Sequence, residues 1–167
     1  MYKAARNKAG LSAEAASFRL HIGRRTLINY EGGSSTIPPE VVLKMAEEYE
    51  QPSLCAKHCS KNCPIGQKFA QDVEEKELEV AVLRLLKNHT DVRLIRDRLT
   101  EIAEDGIIDS EEMPDFENIM EELLGLERSI MAMKLLAAKV LPLDKMIQRE
   151  KEKTSKRANR MEAVKKC

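Results

Sequence analysis

The chain has 167 residues, with 28 basic and 28 acidic side chains, no Trp, and many Leu, Ala, Glu and Lys. That length suits one domain, or a small domain with an extension. The composition favours an all-α fold, and no stretch alternates β-branched and polar residues as a strand would. No run of 18 apolar residues is present, so nothing is expected to span a membrane, and charged, helix-forming residues directly after Met1 give no secretory signal. A cytoplasmic protein is expected, with its four cysteines as reduced thiols or metal ligands rather than disulfides.

The neutral total conceals a division. Residues 1–39 hold six basic and two acidic side chains, residues 69–144 nine basic and nineteen acidic, and residues 145–167 nine basic and three acidic. A basic head suits a phosphate surface. The acidic middle is expected to face away from nucleic acid, or to face a protein.

A short first helix over residues 2–9 ends at Gly10. Ser12 is a good N-cap for a second helix from Ala13 to Leu20. His21-Ile22-Gly23 breaks that run, and Gly23 suits the cap of a third helix, Arg24 to Glu31, which Gly32-Gly33 stops. Leu27 and Tyr30 can face inward with Ala16, Leu20 and Ile22. Arg24, Arg25 and Asn29 then share a broad outer sector. Two arginines and an asparagine on the first turns of a short exposed helix match what reading base edges requires. Arginine pairs in bidentate fashion with guanine, and asparagine with adenine.

This stretch resembles the helix-turn-helix of the phage-repressor, or XRE-type, lambda-repressor-like family. The resemblance rests on Gly10-Leu11-Ser12, Glu14-Ala15, Ile22, Thr26-Leu27 and Glu31-Gly32, and covers residues 3–52. It implies that the helix Gly23–Glu31 lies in the major groove of double-stranded DNA. Gly23, Arg24, Arg25, Thr26 and Asn29 would face the bases. It also implies a pairing of Arg6 with Glu31, and homodimers that bind two-fold half-sites. Two positions depart from the family pattern: Ala13 stands where a DNA-contacting Gln is usual, and His21 where the turn usually has Gly, so a left-handed conformation there is strained.

In the loop after the third helix, the backbone amides around Ser34 and Ser35 can meet phosphates. Pro38 and Pro39 pre-set a fourth helix, Glu40 to about Tyr49, with Val41, Val42, Met45 and Ala46 closing a small core. Residues 53–68 form a cysteine-containing linker. Cys55, Cys59 and Cys63 recur every fourth residue around His58, so on a helix the thiols share a face. They are candidate ligands for zinc or an iron–sulfur cluster. Core packing of small apolar thiols is the alternative, and redox sensing a further one. Cys167 is the sole terminal candidate for a further ligand.

Residues 69–167 read as a helical hairpin or coiled-coil-like region for dimerisation or signal reception. A helix is expected from Phe69 to about Lys87 through Val73, Val80, Leu83 and Leu86. Asn88 to Asp91 reads as a joint, followed by a helix to Glu104 through Ile95, Leu99 and Ile102. Residues Glu101 to Glu112 resemble half an EF-hand loop, but Ala103 sits at a ligand position, and a helix connector is expected. Asp109 with Glu112 forms a capping box for the longest helix. Its seam of Phe116, Ile119, Leu123, Leu126, Ile130, Met133, Ala137 and Val140 requires a partner helix, within the chain or on a second copy. A basic helix follows Pro142. No catalytic constellation is apparent, so the chain is expected not to be an enzyme. The reading is a DNA-binding transcriptional regulator with a five-helix head, as a homodimer. The alternatives are an interaction adaptor or a metal- or redox-responsive switch.

Overall fold

The computed structural model describes the backbone of residues 1–165 and the side chains of residues 1–157. All of its regular elements among these residues are helices: α1 Tyr2–Lys8, α2 Ala13–Arg19, α3 Arg24–Gly32, α4 Pro39–Glu48, α5 Ser53–Asn62, α6 Pro64–Phe69, α7 Leu78–Leu94, α8 Arg96–Ile102, α9 Met113–Ala137 and α10 Leu143–Lys165. Cys167 lies outside the described residues.

Helices α1 to α5 enclose one core. Ala16, Leu20, Leu27, Val42, Met45, Tyr49 and Leu54 are its most deeply buried members, with Tyr30 and Ile22 packed against them. Leu54 draws α5 into this core, so the cysteine-bearing stretch is a helix of the head. Tyr2 Oη on α1 and His58 Nδ1 on α5 are 2.6 Å apart in the interior. Gln51 Nε2 donates to the Ala5 carbonyl at 2.8 Å and ties the α4–α5 turn to α1.

The first four helices end alike. Each closes with paired bonds from two successive residues just past the helix back to its last turns, such as Ile22 N–H to Ser17 O at 3.0 Å and Ser34 N–H to Asn29 O at 2.9 Å. The motif requires one left-handed residue. Gly10, His21, Gly33 and Glu50 supply it, with φ of 70°, 54°, 77° and 53°. The expected left-handed His21 is thus present.

Helix α6 folds back on α5 at a point of close backbone approach. A Cβ on Gly66 would lie 1.9 Å from the Cys59 carbonyl oxygen, so no side chain fits there.

The C-terminal part differs from expectation in three places. The helix predicted from Phe69 does not run through: residues 70–77 are an irregular strap and α7 starts at Leu78. Val73 is buried within that strap against Ala56, Met131, Ala132 and Leu135. Burial alone would raise the Glu75 carboxyl, but hydrogen bonds from Lys139 and Ser53 outweigh it and hold it below its ordinary value. Second, Asn88 is not at a joint. It lies inside α7, and its amide donates to Gly125 O at 2.8 Å and Ser129 Oγ at 2.5 Å on α9. An inward asparagine satisfied across a hairpin reads locally like a turn signal. Third, the packed face follows the predicted seam on α9 in part and departs from it on α7. On α9 Ile119 is buried and Phe116, Leu123, Leu126, Met133 and Ala137 are half-buried, but Ile130 and, just past the helix, Val140 are exposed. Ser129, Ala132 and Leu135 are buried outside the seam, and on α7 Ala81 is buried whereas Val80, Leu83 and Leu86 are exposed.

The Asp109–Glu112 box is present: Asp109 Oδ1 accepts from Glu112 N–H at 2.9 Å, and Glu112 Oε2 from Asp109 N–H at 3.3 Å. Residues 103–108, between α8 and the box, are exposed, and Asp105 Oδ1 caps the Ile107 amide at 3.0 Å.

Burial lowers the His58 pKa below its ordinary 6.5. The unfolded chain therefore takes up a proton at higher pH than the folded one, and stability rises with pH between the two values. The stability that neutral His58 provides is complete above pH 6.5 and is lost as pH falls through the lower, folded value. Urea midpoints measured from pH 7.5 to pH 5 are expected to fall, and His58→Asn, which keeps an acceptor for Tyr2, is expected to flatten that part of the profile.

Candidate nucleic-acid interface

Helix α3 is held from behind by one ion pair. Arg6 of α1 donates through Nε to Glu31 Oε1 at 2.7 Å and through Nη2 to Glu31 Oε2 at 3.0 Å. Its Nη1 donates to the Leu11 carbonyl at 2.7 Å, which fixes the α1–α2 turn as well. The two side chains are only 9% and 5% exposed. The hydrogen bond to Glu31 is the main cause that raises the already high Arg6 pKa. Leu27, fully buried one turn before Glu31, anchors the same side of α3. Helices α2 and α3 are joined by the three residues Leu20 to Ile22 and the cap Gly23, whose extended backbone at φ −64°, ψ 144° starts α3.

With its inner side fixed in this way, α3 presents the opposite side to solvent. Gly23, Arg24, Arg25 and Thr26 are exposed and Asn29 is half-buried. Ser34 and Ser35, in the loop after the other end of α3, are also exposed. Of the sequence-predicted contact residues, Gly23 to Thr26 are thus accessible at the start of α3, Asn29 is partly so, and the two serines follow the helix's far end. Arg24 is not isolated there: its Nε lies 2.5 Å from Glu14 Oε1 on α2. Sequence reading noted Glu14 only as a family position. Its ten-residue separation from Arg24 is bridged by the helix-turn-helix crossing, which a spacing rule does not contain.

The C-terminal region approaches the head from another side. A cleft of about 1080 Å³ between them is lined by Lys8, Arg19, Tyr49, Cys55, Glu75 and Lys139 among others, and by no residue of α3. The exposed side of α3 is not part of this cleft. Tyr49 at the base of this junction is buried, which pushes its phenol up to about 12 and keeps it neutral.

The cysteines take up different settings. Cys55 is half-buried and burial pushes its thiol up, with Cys59 adding to the effect. Cys59 is exposed, and Cys63 lies past the last turn of α5 in extended backbone. His58 points into the head toward Tyr2. Among the described residues no group of three or more His, Cys, Asp or Glu side chains is gathered so as to hold a metal ion. The end of α5 at Asn62 removes the third thiol from the helical register, and the Tyr2 contact occupies the imidazole.

Removing one member of a buried pair leaves an uncompensated charge, at a cost of about 3–5 kcal/mol. Arg6→Ala is expected to lower stability by that amount in chemical denaturation, whereas the joint change Arg6→Met with Glu31→Leu is expected to cost much less.

No curated protein and no solved structure matches the chain. Among the described residues no helix is long and apolar enough to cross a membrane. Residues 3–52 match the family model described as Helix-turn-helix, which at the family level supports a DNA-binding regulator. The N-terminal part of this chain is a helix-turn-helix domain of the XRE, lambda-repressor-like type.

Proposed function

We propose that the chain is a sequence-specific regulator of transcription that binds double-stranded DNA as a homodimer. The observation that supports this most is the exposed set Arg24, Arg25 and Thr26, with the half-buried Asn29, on a helix whose opposite side is held by Arg6–Glu31. In this reading the start of α3 enters the major groove. Arg24 and Arg25 take guanine edges and Asn29 an adenine edge, while the Ser35 amide and the Ser34 and Ser35 hydroxyls meet a phosphate; the Ser34 amide itself is used in closing α3. The head's excess of basic side chains draws it to the backbone.

A lone head with so few basic contacts would bind weakly and non-specifically, so pairing two heads is physically reasonable for an operator. The α7–α9 hairpin supports that pairing. Leu83, Leu86 and Leu94 of α7 and Met120, Leu124 and Ile130 of α9 are exposed although the hairpin's own packed face is already formed. A two-helix unit with apolar side chains on its outer side gains from burying them in a four-helix arrangement with a second copy.

Fluorescence anisotropy on duplex DNA over a salt series is expected to show affinity that falls as salt rises. Arg24→Ala and Arg25→Ala are each expected to remove about 1–3 kcal/mol of base discrimination. Absence of salt-dependent binding would favour an interaction adaptor. In sedimentation experiments the chain is expected to run as a dimer, and Leu83→Lys with Leu86→Lys as a monomer with an intact head. A wild-type monomer at micromolar concentration would overturn the pairing.

A further inference from the structure

Glu14 and Arg24 form an ion pair on the same surface as the recognition residues, with side chains 65% and 59% exposed. A pair so exposed adds almost nothing to folding. Its position is informative instead. Between residues 11 and 36 the acidic side chains are Glu14 and Glu31 alone, and Glu31 is buried against Arg6. Glu14 is therefore the one exposed carboxylate on the helix-turn-helix surface. Unpaired, it would repel phosphates. Arg24 unpaired would take whichever phosphate came within reach, since long guanidinium side chains bind backbone oxygens without regard to sequence.

The contact is made through Arg24 Nε. Nη1 and Nη2 make no hydrogen bond among the described residues, and together they form the end-on fork that matches guanine O6 and N7. A carboxylate on the Nε side biases the guanidinium toward orientations in which that edge faces outward. We propose that Glu14 is a positioning residue for base readout: it presents the Arg24 fork to a guanine and withholds that arginine from phosphates. The inference rests on the DNA-binding reading above and adds a determinant of specificity on α2.

The full chain is first used to enrich binders from a randomised duplex pool, and the enriched sequence is then measured against random duplex over a salt series. Glu14→Ala is expected to bind random duplex more tightly, with a salt slope steeper by about one phosphate contact. It is also expected to lose about fivefold or more of its preference for one guanine. Glu14→Gln, which retains an acceptor for Nε, is expected to recover most of that preference. In an Arg24→Ala background, Glu14→Ala is expected to change the preference no further. Circular dichroism is read beforehand, and if Glu14→Ala unfolds the head, Glu14→Ser, alone and in the Arg24→Ala background, takes its place in the test. Enrichment of a sequence whose base preference and salt slope are unchanged in the Glu14 variants would overturn this proposal alone. Failure of the wild-type chain to enrich any sequence would overturn the DNA-binding reading beneath it, and the proposal with it.

Discussion

The two-pronged bond between Arg6 and Glu31 is the constraint from which the head's geometry follows. It joins the first helix to the end of the third, and the remaining Arg6 donor fixes the turn before the second. A buried ion pair of this kind is weak as a source of net stability, because desolvation offsets much of the attraction. Its effect is on arrangement: only one rotation of α3 satisfies both carboxylate oxygens while Leu27 stays in the core. That rotation leaves Arg24, Arg25 and Asn29 on the outer side.

The head was legible because its instructions are local. Ser12 does cap α2, accepting from Ala15 N–H at 3.1 Å. Pro38 and Pro39 do open α4, and the inward positions of α2, α3 and α4 follow helical periodicity. What stayed hidden depends on tertiary neighbours. Glu50 gives no sign of a left-handed stop, and Gly66 reads as an ordinary interruption until the Cys59 carbonyl is set against it. The hairpin was harder for a different reason. Leu83 and Leu86 have the same apolar character as Ile119 and Leu135, so periodicity alone cannot say which face of an apolar helix meets its neighbour. Asn88 was misleading because a polar residue satisfied across a helix pair resembles one that breaks a helix. Of the candidate site, the exposed arginines were foreseeable and the Glu14 contact was not, since it crosses from one helix to the next.

Charge is segregated along the chain in a way that suits the two roles. The acidic excess of residues 69–144 lies outside the basic head, and the strap from residue 70 to residue 77 separates them while remaining fastened at both sides. Gln71 Nε2 donates to the Leu124 carbonyl and to Glu127, each at 2.9 Å, and Lys139 Nζ lies 2.6 Å from Glu75 Oε2. Unequal charge of this kind along one chain gives the molecule a field of its own, which acts on a charged partner before contact.

Two of the head's four left-handed stops fall on His21 and Glu50, residues whose Cβ resists that shape by about 1–2 kcal/mol each. Each is exposed, and neither is among the residues proposed to contact DNA. The head thus carries strain at two helix ends, and a glycine at either place would relieve it, less the entropy that glycine adds to the unfolded chain, without touching the exposed side of α3.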